Sequence, residues 1–435
     1  MGDSCQPPWG CLYLLFLLLH NSAADIARDR VEATNSGLPG THAPATIPSW
    51  RYRGYEKFPS LFFGAQNGSQ TTRDPLEPAA HLEWITKHQL AGYGWQHAIG
   101  LMQEESALHQ VAKQTKAYAV AAGREVATFV YRDAQGADKE YVLAAAILND
   151  TTKDHWFLRQ NGTICTRSGQ WPNARQFNFS VAAVRDYYVN VMVAEVAAED
   201  GVDVVFFDET DWTFHHYPWQ NFKNCPNFDP FPTDAAWAAY REAKADLLSR
   251  IVLALNRQGK IPLFSCSGGT TANTMAKCPN QAGHWPEEDY LATIRSHSKG
   301  GKYMRFYESW MGFGETDPDC WSNWLQNAIW ETSQGLPFTV RWDMGMFNGT
   351  DTWLEFGMAA FLMAQGDYCY FGAAANWYDQ DWKYHAQYDW EVGKPLGLAQ
   401  RTGKYAWRRE FEQCTVSVDL AARSGNFSWR TERVD

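Results

Sequence analysis

The sequence predicts an α/β protein, a (β/α)8 TIM barrel followed by a small C-terminal β appendage. Eight strand-like runs alternate with helical patterns along the chain, which is typical of a parallel sheet covered by helices. The run DVVFFDE (203–209) is apolar on both faces, as a strand between a barrel interior and a helical layer must be. A length of 435 residues, of which 45% are hydrophobic and 20% charged, suits one large barrel with an addition.

The strands are predicted from short runs rich in β-branched and aromatic residues. The second run contains two glycines, which weaken its strand propensity. In chain order the eight runs are SLFFGAQN (60–67), LAGYGWQ (90–96), EVATFVYRD (125–133), DVVFFDE (203–209), IPLFSCSG (261–268), KYMRFYESW (302–310), PFTVRWDM (337–344) and DYCYFGA (367–373).

Helices are predicted between these runs from apolar residues at three- and four-residue spacing. Ser180 is the expected N-cap of one of them and Gly201 its stop. Another is predicted from Thr233 to Gln258, with Gly259 closing it. The helix after Ser180 should bury one stripe, formed by Val184, Tyr187, Val191, Ala194 and Ala198. The other predicted helical segments are 77–89, 104–122, 286–299, 320–334 and 353–364.

Four parts are predicted along the chain. Residues 1–24 have the features of a signal peptide, because CLYLLFLLL (11–19) is apolar but too short to span a bilayer and small residues precede Asp25. No Lys or Arg precedes the apolar run, so an uncleaved anchor is the alternative. Residues 25–57 form an irregular leader, 58–390 the barrel, and 391–435, which alternates like strands, the appendage.

Export through the secretory pathway is predicted, to the endomembrane system or the cell exterior. Cys266 and Cys278 flank a loop rich in Gly and Thr and are expected to form a local disulfide. No CxxC pair occurs, which argues against a structural zinc site. Six glycosylation sequons support the route and predict a glycoprotein, at Asn67, Asn149, Asn161, Asn178, Asn348 and Asn426.

The composition narrows the possible partners. A net charge of −11 without a Lys/Arg cluster argues against nucleic acid. The 21 Trp, 20 Tyr and 24 Phe suit a sugar-binding cleft, although core packing also explains many of them. No cofactor is expected, because SCSGG (265–269) is neither a nucleophile elbow nor a phosphate loop. His215 and His216 lack a third ligand at a suitable spacing, so no metal is predicted.

Two carboxylates are the predicted catalytic pair. The carboxyl ends of barrel strands share one mouth, and alternation puts Asp208 on the face of Phe206 and Glu308 on the face of Phe306. Cleavage of a glycosidic bond requires an acid for the leaving oxygen and a second carboxylate as nucleophile or base. We expect Asp208 to be the nucleophile or base and Glu308 the acid, with exchanged roles as the alternative.

Each site residue also has a structural interpretation. Asp208 is compatible with a turn or helix cap, and Glu308 with an ion pair to Arg305 or Arg341. The tryptophans, including Trp342, are compatible with packed core as well as with sugar platforms. The predicted substrate-binding residues are Trp95, Gln96, Asp133, Glu209, Trp212, Trp310, Arg341 and Asp343.

Four segments carry a family resemblance: WFLR (156–159), NFSVAAVRDYYVNVM (178–192), DVVFFDE (203–209) and KPLGLAQ through WRREFEQCTVSV (394–418). Together they resemble hypothetical glycosyl hydrolase family 15, a family of barrel glycosidases. The resemblance implies a barrel and glycosidase chemistry without naming a sugar. More distantly, the chain is similar to α-galactosidase-type barrels, which implies carboxylates after strands four and six, at Asp208 and Glu308; those relatives commonly have Asp at the second position.

The predicted function is therefore that of a secreted glycoside hydrolase that cleaves O-glycosidic bonds of an oligo- or polysaccharide. Its predicted partner is the carbohydrate substrate, with no membrane contact unless the N-terminal segment remains as an anchor. The alternatives are a barrel that binds glycans but has lost turnover, and a metal-assisted hydrolase on the same fold. The sugar, the stereochemical course and the oligomeric state are left open by the sequence.

Overall fold

The structure is a computed structural model. The predicted signal peptide, nearly all of the predicted leader, and Cys278 with its expected bridge to Cys266 lie outside the described part. The residues that the structure describes are 57–64, 76–98, 104–139, 141–166, 174–210, 225, 231, 233–266, 294–307, 317–345, 349–375 and 382–430.

Within these residues, eight parallel strands form one sheet, each strand pairing with the next in the chain. Ser60 bridges Phe371 in parallel, and the Phe371 N–H donates to the Pro59 carbonyl at 3.0 Å, which closes the sheet on itself. The predicted (β/α)8 barrel is confirmed. The strands are β1 (Leu61–Gly64), β2 (Leu90–Tyr93), β3 (Ala127–Asp133), β4 (Val204–Asp208), β5 (Ile261–Cys266), β6 (Met304–Tyr307), β7 (Phe338–Asp343) and β8 (Tyr370–Ala374).

Helices lie between the strands, as the apolar spacing predicts. Thr233 caps the longest of them by accepting from the Ala236 N–H at 3.2 Å, and Gly259 follows its end at a φ of 71°. A further helical turn occupies residues 294–297. The helices are α1 (Ala79–Ile85), α2 (Glu104–Ala121), α3 (Val142–Leu148), α4 (Ala182–Tyr187), α5 (Ala194–Ala197), α6 (Asp234–Arg257), α7 (Pro318–Ser333) and α8 (Asp351–Ala364).

The helix predicted after Ser180 differs in register from the expectation. A π-helical turn (Tyr188–Val193) joins α4 to α5, and it places an extra residue in the turn. Tyr188 and Met192 are therefore buried, whereas the predicted stripe residues Tyr187 and Val191 are only half-buried. The expected cap is also wrong, because the Ser180 hydroxyl donates to Asn178 Oδ1 at 2.5 Å and the helix begins after Val181 without a side-chain cap.

The barrel interior is filled by aromatic rings. Phe206 on β4 contacts Phe63 on β1 and Phe306 on β6, with ring centroids 5.4 Å and 5.2 Å away. Phe129 on β3 packs on Phe63 at 4.9 Å. A Cβ atom on Gly92 would lie 1.8 Å from the Phe129 ring, so the glycine of β2 provides the room that this ring fills.

A separate four-stranded antiparallel sheet follows the barrel and packs on α8. A Cβ atom on Gly425 would lie 2.6 Å from the Glu355 carbonyl oxygen, so sheet and helix are in close contact. Arg409 donates from Nη1 to the carbonyls of Leu362 and Gln365 at 2.8 Å and 2.7 Å, which satisfies the C-terminal end of α8. The strands are β9 (Gln400–Arg401), β10 (Ala406–Glu410), β11 (Cys414–Asp419) and β12 (Ser424–Trp429).

The long segment between β3 and α4 carries a disulfide. Cys165 bonds to Cys225, 60 residues further along the chain, with a Cα–Cα distance of 5.6 Å. Cys369 and Cys414 are buried free thiols. None of the described helices is long and apolar enough to cross a membrane.

Candidate active site

The inner face of β4 is identified by Phe206. Its ring contacts rings on β1 and β6, which are not neighbours of β4 in the sheet, so it points into the barrel. Side chains alternate along a strand, so Asp208 lies on the same inner face, at the carboxyl end of β4. The sequence prediction that Phe206 and Asp208 share the inner face agrees with this geometry.

Asp208 is half-buried and accepts hydrogen bonds on both carboxylate oxygens. The Tyr131 hydroxyl donates to Oδ2 at 2.9 Å, and the Glu209 N–H donates to Oδ1 at 2.8 Å. Hydrogen bonds of this kind favour the ionised form of a carboxylate. The arrangement therefore suits a carboxylate that attacks carbon or accepts a proton from water.

The turn after Asp208 is anchored on both sides. The Asp208 carbonyl accepts from the Ala134 N–H at 3.0 Å. On the other side, the buried Thr210 hydroxyl donates to the Ser265 carbonyl at 2.5 Å. Between them, Glu209 has a left-handed backbone with a φ of 58°, a conformation that costs free energy for a non-glycine residue and is common at functional sites.

Asp133 lies beside Asp208, because the two residues are register partners at the ends of β3 and β4. Its carboxylate is buried and accepts the N–H groups of Gln135 and Gly136 at 2.7 Å and 2.8 Å. The Asp133 carbonyl accepts from the Tyr188 hydroxyl at 2.7 Å. These contacts give Asp133 a clear role in shaping the loop after β3.

Arg341 and Asp343 occupy the inner face of β7. Trp342 between them is fully buried on the outer face and packs on Trp353 of α8, with ring centroids 4.6 Å apart. Trp342 is therefore a core residue, and its interpretation as a sugar platform is wrong. The Arg341 guanidinium lies 3.9 Å from the Asp343 carboxylate, which also accepts from the Gly345 N–H at 2.8 Å.

Arg305 lies on the helical side of the sheet. Its guanidinium forms an ion pair with Glu331 of α7, and both side chains are only 3% exposed. Tyr307 reaches the same carboxylate from β6, donating to Oε2 at 2.9 Å. The odd-numbered residues of β6 therefore face the helices, whereas Phe306 faces the interior.

Of the remaining predicted site residues, the structure describes only some. Trp95 lies in a short turn, Trp95–Ala98, directly after β2, and is half-buried against the barrel core. Gln96 belongs to the same turn. Glu308, Trp212 and Trp310 lie outside the residues that the structure describes.

Sequence reasoning did not identify Tyr131. It is a register partner of Phe206, its ring contacts Phe206 at 5.7 Å, and its hydroxyl reaches Asp208. The available signal was its spacing of two from Asp133, which puts both side chains on one face of β3. The register between β3 and β4 was also needed, and the sequence does not provide it.

One group of three potential metal ligands comes together among the described residues: His109, Glu195 and Glu199. Protein cations already contact all three, because Arg132 Nη2 lies 2.9 Å from His109 Nε2 and 3.0 Å from Glu195, and Lys113 lies 3.1 Å from Glu199. Burial and the Arg132 guanidinium lower the pKa of His109 to about 2. The group is a charge network on the outer side of β3 and does not fit a metal ion.

The chain has a family match and distant structural neighbours. The model of hypothetical glycosyl hydrolase family 15 matches residues 118–415 of the 435. No curated protein matches the sequence.

Two solved structures illustrate the distant similarity. Ega3 of Aspergillus fumigatus, solved with galactosamine, is 12% identical over 78% of this chain and 98% of its own, with a TM-score of 0.37. An α-galactosidase from Thermus thermophilus is 14% identical over 88% of this chain and 68% of its own, with a TM-score of 0.45. The family match covers well over half of the chain, which is a glycosidase that belongs to hypothetical glycosyl hydrolase family 15.

Proposed function

We propose that this glycosidase is a secreted enzyme that cleaves O-glycosidic bonds of an oligo- or polysaccharide with Asp208 and Glu308 as its carboxylate pair. The observation that carries the proposal is the contact between Phe206 and Phe306 across the barrel, at 5.2 Å. Asp208 and Glu308 each follow one of these phenylalanines by two positions. Period-two alternation therefore predicts both carboxylates at one mouth of the barrel.

In the proposed mechanism Glu308 is the acid and Asp208 the nucleophile or base. Glu308 gives its proton to the glycosidic oxygen as the bond from that oxygen to the anomeric carbon breaks. Asp208 either attacks the anomeric carbon, forming an ester that water then hydrolyses, or takes a proton from the attacking water. The hydrogen bonds from Tyr131 and Glu209 that Asp208 accepts support either of these roles over that of the acid, because they favour its ionised form.

Candidate substrate contacts surround this pair. Arg341 and Asp343 are on the inner face of β7, and Trp95 follows β2 at the same end of the barrel. Glu209 and Asp133 flank Asp208: the Glu209 N–H orients the Asp208 carboxylate, whereas the Asp133 carboxylate accepts a backbone N–H of the loop after β3. Trp212, Trp310 and Gln96 remain proposed sugar contacts from the sequence alone.

Secretion is supported by two features. The Cys165–Cys225 disulfide is typical of proteins from oxidising compartments. Three of the sequon asparagines, Asn149, Asn161 and Asn426, are exposed on the surface. Expression of the full chain in secreting cells should yield a protein that starts at Asp25 and loses mass on enzymatic removal of N-glycans. Retention of residues 1–24 in the membrane fraction would instead support an anchor.

The function is tested by incubating the purified protein with a glycan panel and measuring released reducing ends. The proposal predicts cleavage that a chelator does not affect, and the anomer of the product distinguishes retention from inversion. Binding to glycans without any cleavage would support a barrel that has lost turnover. Loss of cleavage on chelation would support a metal-assisted hydrolase.

A further inference from the structure

We propose that Tyr131 is a positioning residue for Asp208: its hydroxyl fixes the carboxylate in one orientation and keeps it ionised. This inference rests on the proposed catalytic role of Asp208. The Tyr131 hydroxyl lies 2.9 Å from Asp208 Oδ2, within hydrogen-bond distance, and a carboxylate oxygen beside a phenol accepts the bond.

The position of the hydroxyl is determined by packing. The Tyr131 side chain is on the inner face of β3, with a residue exposure of 3%, and its ring lies edge-on to Phe206. Phe206 is itself held by Phe63 and Phe306. The phenol therefore projects from a filled aromatic layer toward the carboxylate directly above it, and it cannot easily turn away.

The backbone of Tyr131 is fixed from the outer side of the sheet. Arg132 donates from Nη1 to the Tyr131 carbonyl at 2.8 Å, and its Nη2 donates to the Glu195 carboxylate at 3.0 Å. Arg132 is 3% exposed. The charge network on the outer side of β3 thus holds the strand that carries Tyr131. This is a structural role for the network that needs no metal ion.

A second donor reaches the Asp208 carboxylate from the backbone. The left-handed backbone of Glu209 directs its N–H to Asp208 Oδ1 at 2.8 Å, so both carboxylate oxygens accept hydrogen bonds. Both donors stabilise the charged form relative to the protonated form. A group held in this way is suited to donating electrons to carbon or accepting a proton, and poorly suited to being the general acid.

The inference can be tested without a substrate. Protein labelled with ¹³C at the aspartate carboxyl carbons is titrated by NMR, and the Asp208 resonance is identified by its loss in Asp208→Asn. In Tyr131→Phe, which keeps the ring, the midpoint of the Asp208 titration should rise by about one pH unit, the value of a hydrogen bond to a charged group. An unchanged midpoint would overturn the inference.

Tyr93→Phe is the matched control. It also removes a buried tyrosine hydroxyl, but this hydroxyl contacts Thr115 of α2 on the outer side of the neighbouring strand. We expect its Asp208 midpoint to equal that of the wild type. An equal rise in both variants would mean that any loss of a barrel hydroxyl has this effect, and it would contradict the positioning role.

Kinetics on the nitrophenyl glycoside that the wild type cleaves best separate this inference from the proposed function. Tyr131→Phe should lower kcat about tenfold with little change in KM, and the acidic limb of its pH–rate profile should move to higher pH. A wild type that cleaves no glycoside would contradict the proposed function. The Asp208 titration midpoint in Tyr131→Phe would still show whether the Tyr131 hydroxyl stabilises the Asp208 carboxylate. Activity abolished by Asp208→Asn but unaffected by Tyr131→Phe at every pH would overturn the positioning role alone.

Discussion

Phe206 on β4 and Phe306 on β6 lie edge-to-face inside the barrel, with ring centroids 5.2 Å apart and planes at 83°. The contact joins two strands that are separated in the sheet by β5. It therefore identifies the inner face of both strands. The candidate catalytic pair follows from this one relationship, because Asp208 and Glu308 each stand two residues beyond one of the rings.

The absence of a side chain at Gly92 is predicted to be necessary for the aromatic interior. In Gly92→Ala the new methyl would overlap the Phe129 ring, since a Cβ there lies 1.8 Å from its nearest atom. We expect the free energy of unfolding, measured by denaturant titration, to fall by about 1–3 kcal/mol. The loss should be smaller when the same change is made in a Phe129→Leu background. Strictly additive losses would show that the ring and the glycine do not interact.

The disulfide is predicted to stabilise the long segment after β3. It closes a separation of 60 residues, for which loop-closure entropy gives an upper value of about 4 kcal/mol. Replacing both Cys165 and Cys225 by Ala should therefore lower the free energy of unfolding by about 2–4 kcal/mol. Replacing the buried free thiol Cys414 by Ala is the control for loss of the sulfur atom. If Cys414→Ala lowers the free energy of unfolding as much as the double replacement does, a stabilising role for the cross-link is contradicted.

His88 is predicted to contribute to loss of stability in acid. Burial, with a smaller effect of His385, lowers its pKa from 6.5 to about 3, and neither ring nitrogen has a hydrogen-bond partner within the described chain. The unfolded chain therefore binds the proton more readily between these values, so stability falls as pH drops below 6.5 and approaches 3. The fall is at most about 1.4 kcal/mol per pH unit for this group.

Urea unfolding at a series of pH values measures this contribution. His88→Phe keeps a ring beside Tyr384 and Tyr388, which His88 contacts at 5.1 Å and 5.6 Å, and it should flatten the pH dependence below 6.5. His155→Phe changes an exposed histidine and should leave the dependence unchanged. The assignment to His88 fails if the free energy of unfolding of His88→Phe depends on pH below 6.5 as steeply as that of the wild type and of His155→Phe.

Much of the fold could be predicted because strand and helix periods differ so clearly along this chain. All eight barrel strands occur where the β-rich runs predict them. The helix predicted between Thr233 and Gly259 is α6, which the Thr233 side chain caps and after which Gly259 has a positive φ. The π-helical turn at Tyr188–Val193 could not be predicted, because an apolar stripe at ordinary helical spacing fits the same residues.

The site was only partly predictable for a different reason. Both faces of a barrel strand are buried, so the apolar pattern does not reveal which face is inner. Trp342 and Arg341 were both candidates although neighbouring residues on one strand point to opposite sides, and packing on α8 decides against Trp342. Tyr131 was missed because its contact with Asp208 depends on the register between two strands.

The most direct measurement is the rate of reducing-end release by Asp208→Asn and Glu308→Gln on a glycan that the wild type cleaves. Both rates should fall by about two to four orders of magnitude, with unchanged circular dichroism and glycan binding. Asp419→Asn, a change at a strand end in the C-terminal sheet where the carboxylate accepts two backbone N–H groups at 2.9 Å, should retain full activity. Wild-type activity in either Asp208→Asn or Glu308→Gln would contradict the carboxylate pair.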